Sequence, residues 1–338
     1  MKLSYFLNAS LFVVCLAVFV LWRLADHDLD RRADEPFDFV VSGNTISGTI
    51  WLPDKAPKAA VVFVHGDGAQ DRTSAGGYAP IINALLDQGI AVASWDKPGV
   101  GSSQGNWLHQ SMSERTTETR GALQQLEQRL PGIGVGALGF SQAGWVLPSL
   151  TQEDADFIVL VGPAVSWQDQ GDYYTRTRLT IEGLESEVID ETIAAQNLAD
   201  DRVFGAEANV GDAPSDMSHD RWGFVQRNRS ADARQELSTL DLPLLAFWGA
   251  DDLNVNAARN AAIYRETLAG RAVSTEIIVW PGATHGLLKA RAYNWQLLED
   301  WSAIARVWFL AEGRYAYASG TIAKIADWIA QESKGGRS

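Results

Sequence analysis

The chain has 338 residues, a formal net charge of −14 and one cysteine, and 46% of its residues are apolar. This length accommodates one large domain with an insertion, or two ordinary domains. The acidic balance argues against a nucleic-acid partner, which would need clustered Lys and Arg, and the lone Cys15 excludes an intramolecular disulfide framework and a cysteine-rich metal site.

The amino-terminal segment, residues 3–22, is uncharged and mostly apolar. Roughly twenty residues at ~1.5 Å rise per residue span a hydrocarbon core of about 30 Å. The pattern therefore predicts a transmembrane helix within a membrane anchor at residues 1–24. Lys2 precedes the segment and aspartates follow it, which predicts an extracytoplasmic (periplasmic) location for the rest of the chain. A cleaved signal peptide, giving a secreted form, is the alternative, although the apolar run is long for one.

The region after the anchor changes from charged to alternating and then to strongly apolar. Residues 25–36 are charged and end in proline, which predicts a linker. Residues 37–53 alternate apolar and polar side chains around Ser42-Gly43-Asn44, which predicts an antiparallel hairpin. Six apolar runs typical of buried parallel strands follow. They are AAVVFVHG, IAVASWD, IGVGALG, DFIVLVG, LPLLAFWG and EIIVWPG.

Segments of helical character lie between these runs, at residues 78–88, 113–130, 142–150 and 257–268. The alternation predicts an α/β fold with a right-handed, doubly wound, mostly parallel sheet. The regularity breaks at residues 164–240, which predicts a helical cap inserted between a first core part, residues 37–163, and a second, residues 241–338. The closing segment GTIAKIADWIAQ has the apolar spacing of an amphipathic helix that packs on the sheet.

Residue types suited to nucleophilic catalysis follow three of the predicted strands. Ser141 follows IGVGALG, Asp251 and Asp252 follow LPLLAFWG, and His285 follows EIIVWPG. In open α/β sheets, reacting groups collect at the carboxyl ends of the strands. A serine hydroxyl needs an imidazole to accept its proton, and a carboxylate must orient that imidazole and stabilise its cation.

The order Ser, Asp, His along the chain resembles the α/β-hydrolase superfamily. The resemblance extends from about residue 61 to the carboxyl terminus, except for the cap. It implies an α/β-hydrolase fold and a catalytic triad of Ser141, His285 and Asp252. Asp252 is favoured because the segment GADD places it three residues after a glycine, as in the family's G-x-x-D pattern, and Asp251 is the alternative acid.

The predicted nucleophile elbow, GFSQAGW, departs from the usual G-x-S-x-G pattern at one position. Gly139 stands two residues before Ser141, but Ala143 stands two residues after it and glycine follows only as Gly144. Members of the superfamily with alanine in one glycine position exist, and alanine adds only one methyl group. Ser141 is therefore predicted to be the nucleophile, and a small serine in a tight turn is the alternative.

A tetrahedral intermediate requires fixed N–H donors for its developing negative charge. The residue after the nucleophile, Gln142, supplies one backbone N–H. By resemblance to the HG-x turn of this fold, Asp67 supplies the second, with Gly68 as the alternative. A carboxylate so near an oxyanion is unfavourable unless it points away or is paired. Arg72 is the candidate partner for Asp67, with Asp71 competing for it.

Neither a cofactor nor a metal ion is predicted. The glycine-rich segment WDKPGVGSSQGNW matches neither a P-loop nor a dinucleotide fingerprint, and it resembles a tight turn of the same fold, held by Asp96 and Lys97. The paired carboxylates elsewhere lack the His or Cys neighbours of a metal site.

The resemblance implies a carboxylesterase-like serine hydrolase that cleaves a small-molecule ester through an acyl-enzyme intermediate. A prolyl-aminopeptidase-like peptidase and an acyltransferase share the same fold and are alternatives. A membrane-anchored binding module without catalysis is a third, although such losses usually delete a triad residue and all three are present. The sequence indicates neither the acyl chain nor the oligomeric state.

Overall fold

Two sheets are present in the computed structural model, which describes residues 18–19 and 23–335. The large sheet has the strand order β1-β4-β6-β5-β7-β8-β9-β10, and β2 pairs with β3 in a separate hairpin. The strands are β1 (Ala33–Pro36), β2 (Phe39–Val41), β3 (Asn44–Ile46), β4 (Gly48–Leu52), β5 (Ala59–Val64), β6 (Ile90–Trp95), β7 (Gly134–Phe140), β8 (Phe157–Val161), β9 (Leu244–Gly249) and β10 (Thr275–Trp280).

The six apolar runs form strands β5 to β10, and every neighbouring pair among them is parallel. Strands β4 and β1 extend the sheet in antiparallel fashion beyond β6. The predicted hairpin is also present, with Val41 opposite Asn44 across the turn. The prediction of a doubly wound, mostly parallel sheet is therefore confirmed.

Helices cover both faces of the sheet because alternate strand residues point to opposite sides. In β5, Ala60, Val62 and Val64 belong to one buried apolar cluster, while the residues between them belong to another. Helices α2 and α7 pack on the first face, and α1 and α10 on the second. The helices are α1 (Ala79–Asp87), α2 (Met112–Arg129), α3 (Trp167–Ile181), α4 (Ser186–Phe204), α5 (His219–Asn228), α6 (Arg234–Thr239), α7 (Ala257–Thr267), α8 (Ala290–Tyr293), α9 (Ala303–Glu312) and α10 (Thr321–Glu332).

The long segment between β8 and β9 contains helices α3 to α6. Its two ends are joined to each other by an isolated β-bridge between Ser166 and Asp232 and by a backbone hydrogen bond from Ala233 to Val165. It is held to the core at this point, because the backbone N–H of Val165 donates to Oδ1 of Asn260 on helix α7 at 2.8 Å. We refer to residues 164–240 as the cap.

Two sequence predictions of local structure are wrong. Residues 25–36 do not form a free linker, because β1 pairs with β4 along its whole length. All four residues of β1 are exposed, and charges and a proline are suited to the edge of a sheet. Residues 142–150 form two short 3₁₀ turns instead of an α-helix. Pro148 lies in the second turn, Leu147–Ser149. It lacks the backbone N–H that a continuous α-helix would need at this position.

No helix in the described part of the chain is long and apolar enough to cross a membrane. The predicted transmembrane segment, residues 3–22, lies outside the described residues apart from Val18 and Phe19. It therefore stays a prediction.

Candidate active site

Ser141 occupies a strained turn directly after strand β7. Its backbone φ is +50°, in the left-handed region that non-glycine residues rarely adopt. Such a conformation costs on the order of 1–3 kcal/mol and persists where the surrounding structure imposes it. A side chain at Gly66 would begin 3.3 Å from the Cβ of Ser141, so the neighbouring loop approaches the serine closely. This is the geometry of a nucleophile elbow.

The alanine in GFSQAGW fits the elbow because two glycines make room around it. A Cβ on Gly139 would lie 2.5 Å from the Cβ of Ala143, so Gly139 leaves the space that the alanine methyl fills. Ala143 is completely buried. A Cβ on Gly144 would lie 2.7 Å from the Cβ of Pro163, so the displaced glycine allows the turn to pack against the end of β8.

Asp252 and His285 are joined directly at the carboxyl ends of β9 and β10. The Nδ1 of His285 lies 2.7 Å from Oδ2 of Asp252. The other carboxylate oxygen, Oδ1, accepts the backbone N–H groups of Asn254 at 2.7 Å and Val255 at 2.8 Å. The Asp252 side chain is fully buried, whereas that of His285 is 24% exposed. The carboxylate is thus fixed, and its contact to Nδ1 leaves Nε2 of the imidazole available to accept a proton.

The surroundings of the His285 ring favour its charged form. Burial opposes the charge, but the Asp252 carboxylate and its hydrogen bond outweigh this effect and raise the pKa of His285 above 6.5. A Cβ on Gly162 would lie 2.8 Å from the ring, so the end of β8 needs glycine to accommodate the imidazole.

The structure distinguishes Asp251 from Asp252 as the candidate partner of His285. Asp251 is exposed, and its backbone N–H donates to the carbonyl of Ala283. Only Asp252 reaches the histidine ring. Among the described residues no hydrogen bond joins Ser141 to His285, and such contacts often tighten only in the substrate complex.

The carboxylate of Asp67 is paired, but its partner is Arg221 of helix α5 and the predicted pairing with Arg72 is wrong. The Nη2 of Arg221 lies 3.2 Å from Oδ2 of Asp67, and Nε2 of Gln142 donates to Oδ1 at 3.2 Å. Burial opposes the negative charge of Asp67, but the Arg221 guanidinium lowers its pKa below the usual value. Arg72 instead forms a two-pronged ion pair with Asp96.

Two buried cations hold the loop that contains Asp67, and sequence reasoning missed this role. The Nζ of Lys97 donates to the carbonyls of Gly66 at 2.6 Å and Gly68 at 2.9 Å. Arg115 of helix α2 donates from Nη2 to the carbonyl of His65 at 2.6 Å. Burial lowers the pKa of Lys97 well below that of an exposed lysine. Lys97 was expected to hold its own turn, and nothing in the sequence of α2 distinguishes Arg115 from a solvated residue.

His65 is a structural residue in this arrangement. Its Nε2 lies 2.6 Å from the carbonyl oxygen of Trp95, and its ring stacks on that of Tyr78. Burial, assisted by the nearby Lys97 charge, lowers the pKa of His65 to about 3. The His65 ring is therefore neutral and is held by these two contacts. His285 is thus the better candidate for the general base.

A cleft of about 820 Å³ lies between this site and the cap. It is bounded by Ser141 and the Asp67 loop on the core side and by cap residues opposite. Polar and aromatic side chains from both parts line it, among them Gln142, Trp145, Trp167, Tyr174, Arg221 and Gln296. Its volume suits a small organic substrate. No group of His, Cys, Asp and Glu arranged to hold a metal ion occurs within residues 23–335.

The fold and the site together define an α/β hydrolase. The family model described as Hydrolase_4, serine aminopeptidase S33, matches residues 55–291. The chain therefore belongs to this family, as the resemblance to the α/β-hydrolase superfamily predicted.

Solved structures with the same fold include both esterases and a peptidase. An esterase from Pyrococcus furiosus has 13% identity and a TM-score of 0.56, over 89% of this chain and 90% of that one. A thermostable carboxyl esterase from Bacillus coagulans has 15% identity and a TM-score of 0.55, over 88% and 99%. A proline iminopeptidase from Mycobacterium smegmatis has 14% identity and a TM-score of 0.53, over 89% and 99%. At these identities the similarity shows the fold alone.

Proposed function

We propose that the chain is a serine hydrolase that cleaves carboxylic ester bonds of a small-molecule substrate. Ser141 is the nucleophile and His285 is the general base. Asp252 orients the imidazole and stabilises its cationic form. The observation that supports this most directly is the 2.7 Å contact between His285 and the buried Asp252 carboxylate. It lies at the same edge of the sheet as the strained Ser141 turn.

The proposed reaction proceeds in two steps. The Oγ of Ser141 attacks the acyl carbon while Nε2 of His285 takes the hydroxyl proton, and Asp252 stabilises the resulting imidazolium. The oxyanion is bound by the backbone N–H groups of Gln142 and Asp67. Collapse breaks the ester bond, and the leaving alkoxide takes the proton from His285. Water then attacks the acyl-enzyme with His285 again as base, which releases the carboxylic acid and restores Ser141.

A peptidase is the second candidate, because the family takes its description from an aminopeptidase. An aminopeptidase must bind the ammonium group of its substrate with carboxylates or carbonyls. Two acidic residues line the cleft, Asp67 and Glu299, and Asp67 is already paired with Arg221. Glu299 is therefore the cleft carboxylate that would bind a substrate ammonium group in a peptidase. An acyl acceptor other than water would use the same acyl-enzyme.

The proposal is tested by labelling the full chain with a fluorophosphonate probe and by assaying p-nitrophenyl esters beside aminoacyl p-nitroanilides. We expect Ser141→Ala to abolish labelling and to reduce ester turnover by about 10⁴–10⁶-fold. The matched control Ser149→Ala, in the next turn of the same segment, should label and turn over normally. A wild-type chain that takes no label while a known serine hydrolase does would contradict the serine mechanism. Higher kcat/KM on the anilides than on every ester would favour the peptidase.

A further inference from the structure

Helix α9 presents an unusual apolar face to solvent. Ile304, Val307 and Trp308 are 70%, 64% and 58% exposed, and their i, i+3, i+4 spacing places them on one side of the helix. The opposite side is held to the protein, with Ala305 buried and the Phe309 ring against that of Trp301. Exposed apolar surface on this scale marks an interaction site. We call the set Ile304, Val307 and Trp308 the α9 face.

The apolar amino-terminal segment of the sequence ends beside this helix. Arg23 is the first charged residue after residues 3–22, and its guanidinium donates to the carbonyls of Ala311 and Glu312, each at 2.8 Å. These carbonyls belong to the last turn of α9, where a cation is favourable. Arg23 also lies 4.4 Å over the ring of Tyr315. Arg23, which directly follows residues 3–22 in the sequence, therefore lies at the carboxyl end of α9.

The other end of α9 lies beside the mouth of the candidate active-site cleft. Arg306 donates from Nη2 to the carbonyl of Leu298 at 3.1 Å. Leu298 lines the same cleft as Ser141 and is 74% exposed. Exposed apolar side chains thus occur along α9, between Arg23 at its carboxyl end and Leu298 at the entrance of the cleft.

We propose that the α9 face lies on the surface of a lipid bilayer, so that the cleft entrance opens at the membrane and receives ester substrates from it. The length of residues 3–22 matches a hydrocarbon core, and Arg23, the residue that follows them, lies at one end of the face. Val18 and Phe19, which belong to this segment, are 59% and 55% exposed and are further apolar side chains at the surface.

The charges around the α9 face also suit a membrane. The chain carries a net charge of −14, yet α9 has Arg306 as its one cation and a single acid, Glu312, which is bonded to Lys289 and Tyr293 at the end of the helix. Arg23 adds a second cation at the end of the helix. Trp308 and Tyr315 are the aromatic types enriched at membrane interfaces, and cations are attracted to anionic headgroups. Apolar residues flanked by such groups are typical of a helix that lies in the interface plane.

The docking is tested with an environment-sensitive fluorophore on the full chain in a Cys15→Ser background. The dye is attached through Ile304→Cys or Val307→Cys, and through Val40→Cys on strand β2 as the control, since Val40 is 70% exposed. The vesicles contain phosphatidylcholine with about one quarter phosphatidylglycerol and nitroxide-labelled lipid. We expect the nitroxide to remove about half of the emission at positions 304 and 307 and to leave position 40 unchanged.

Three results would overturn the docking. Equal emission with and without nitroxide lipid at positions 304 and 307 would place the face away from the bilayer. Low-polarity emission that the nitroxide does not quench and that is independent of protein concentration would mean that another part of the same chain covers the face. Shielding that grows with protein concentration and ignores the nitroxide would mean that a second copy covers it.

The delivery of substrate from the membrane rests on the proposed function and has its own test. Val307→Asp combined with Trp308→Asp should slow hydrolysis of a vesicle-embedded ester about tenfold and leave a water-soluble p-nitrophenyl ester unaffected. Val40→Asp should change neither rate. Equal loss on both esters, or no loss on either, would contradict delivery through this surface. A chain that hydrolyses neither ester would refute the proposed function, while the quenching result would still decide the docking.

Discussion

The protonation state of His285 is set by two opposing effects at the residue scale. Partial burial disfavours the imidazolium, and the Asp252 carboxylate 2.7 Å away favours it more strongly, which raises the pKa above 6.5. A general base must be neutral to accept the serine proton. Activity should therefore be complete at pH values above this raised pKa, and it should fall as the pH drops through it and the ring becomes charged.

Replacing the carboxylate while keeping its shape separates these effects. In Asp252→Asn the burial of the ring remains but the favourable charge is gone, so the acid limb of the kcat/KM profile should move to lower pH. The imidazole also loses its fixed tautomer, and kcat should fall by about 10⁴-fold. The control Asp251→Asn changes an exposed neighbour and should retain the wild-type profile. Comparable loss in Asp251→Asn, with an active Asp252→Asn, would reverse the choice of acid.

The part of the candidate site that could be predicted from the sequence consists of reactive side chains that directly follow predicted strands. Ser141, Asp252 and His285 each follow an apolar run, and parallel strands bring such positions to one edge. The ion-pair partner of Asp67 could not be predicted, because Arg221 lies 154 residues away in the cap. A charged helix residue in a sequence does not reveal which distant loop it reaches.

At the scale of elements, the cap and the core meet at the proposed oxyanion loop. Arg221 on helix α5 pairs with Asp67, and its guanidinium also lies 5.3 Å from the ring centroid of Phe224 on the same helix. The core fixes the loop from beneath through Lys97, whose ammonium binds two of its carbonyls. The cap therefore neutralises the Asp67 carboxylate, whose negative charge would oppose an oxyanion beside Gln142.

Removing that neutralising charge should slow the chemical step. Arg221→Gln leaves the Asp67 carboxylate unpaired near the developing oxyanion, and we expect kcat to fall about tenfold with little change in KM, as for an interaction made in the transition state. Adding Asp67→Asn removes the charge but keeps the backbone N–H, so the double variant should recover most of kcat. Arg227→Gln on the same helix is the control, since Arg227 is exposed and bonds to the carbonyl of Leu108.

Two outcomes would contradict this role for Arg221. A double variant no more active than Arg221→Gln alone would show that the loss does not come from the Asp67 charge. An increase in KM with unchanged kcat would instead assign Arg221 to substrate binding. A contact that stabilises the bound substrate and the transition state equally changes KM but leaves kcat unchanged.

The strands and helices were predicted best where the pattern of apolar residues alone determines the secondary structure. Strands β5 to β9 are buried on both faces and therefore appear in the sequence as continuous apolar runs, whereas the edge strand β10 is only half-buried. The pattern failed at β1, whose exposed edge residues resemble a linker, and at residues 142–150, where the 3₁₀ turns follow the strained Ser141 and contain Pro148. In both places tertiary contacts override the local signal.

On the scale of the whole molecule, the segment that leads to residues 3–22 is fastened to the core. The guanidinium of Arg314 binds Asp26 and Asp87, each at 2.6 Å. The side-chain amide of Asn83 donates to the carbonyls of Asp26 and Asp28 at 2.9 and 3.2 Å. Residues 25–36 are therefore part of the domain, and in the membrane docking proposed above they would keep the domain close to the bilayer.

Loosening this attachment should expose the segment to protease. In Arg314→Met the partly buried Asp26 loses its cation, and we expect the free energy of unfolding to fall by about 2 kcal/mol. Trypsin should then cleave after Arg31 roughly tenfold faster, because cleavage follows the population of the locally opened state. The control Arg291→Met replaces an exposed arginine of helix α8 and should leave both the melting temperature and the cleavage rate unchanged. If Arg314→Met is cleaved at the wild-type rate, the fastening does not depend on this ion-pair network, and the domain would not be held in one orientation by it.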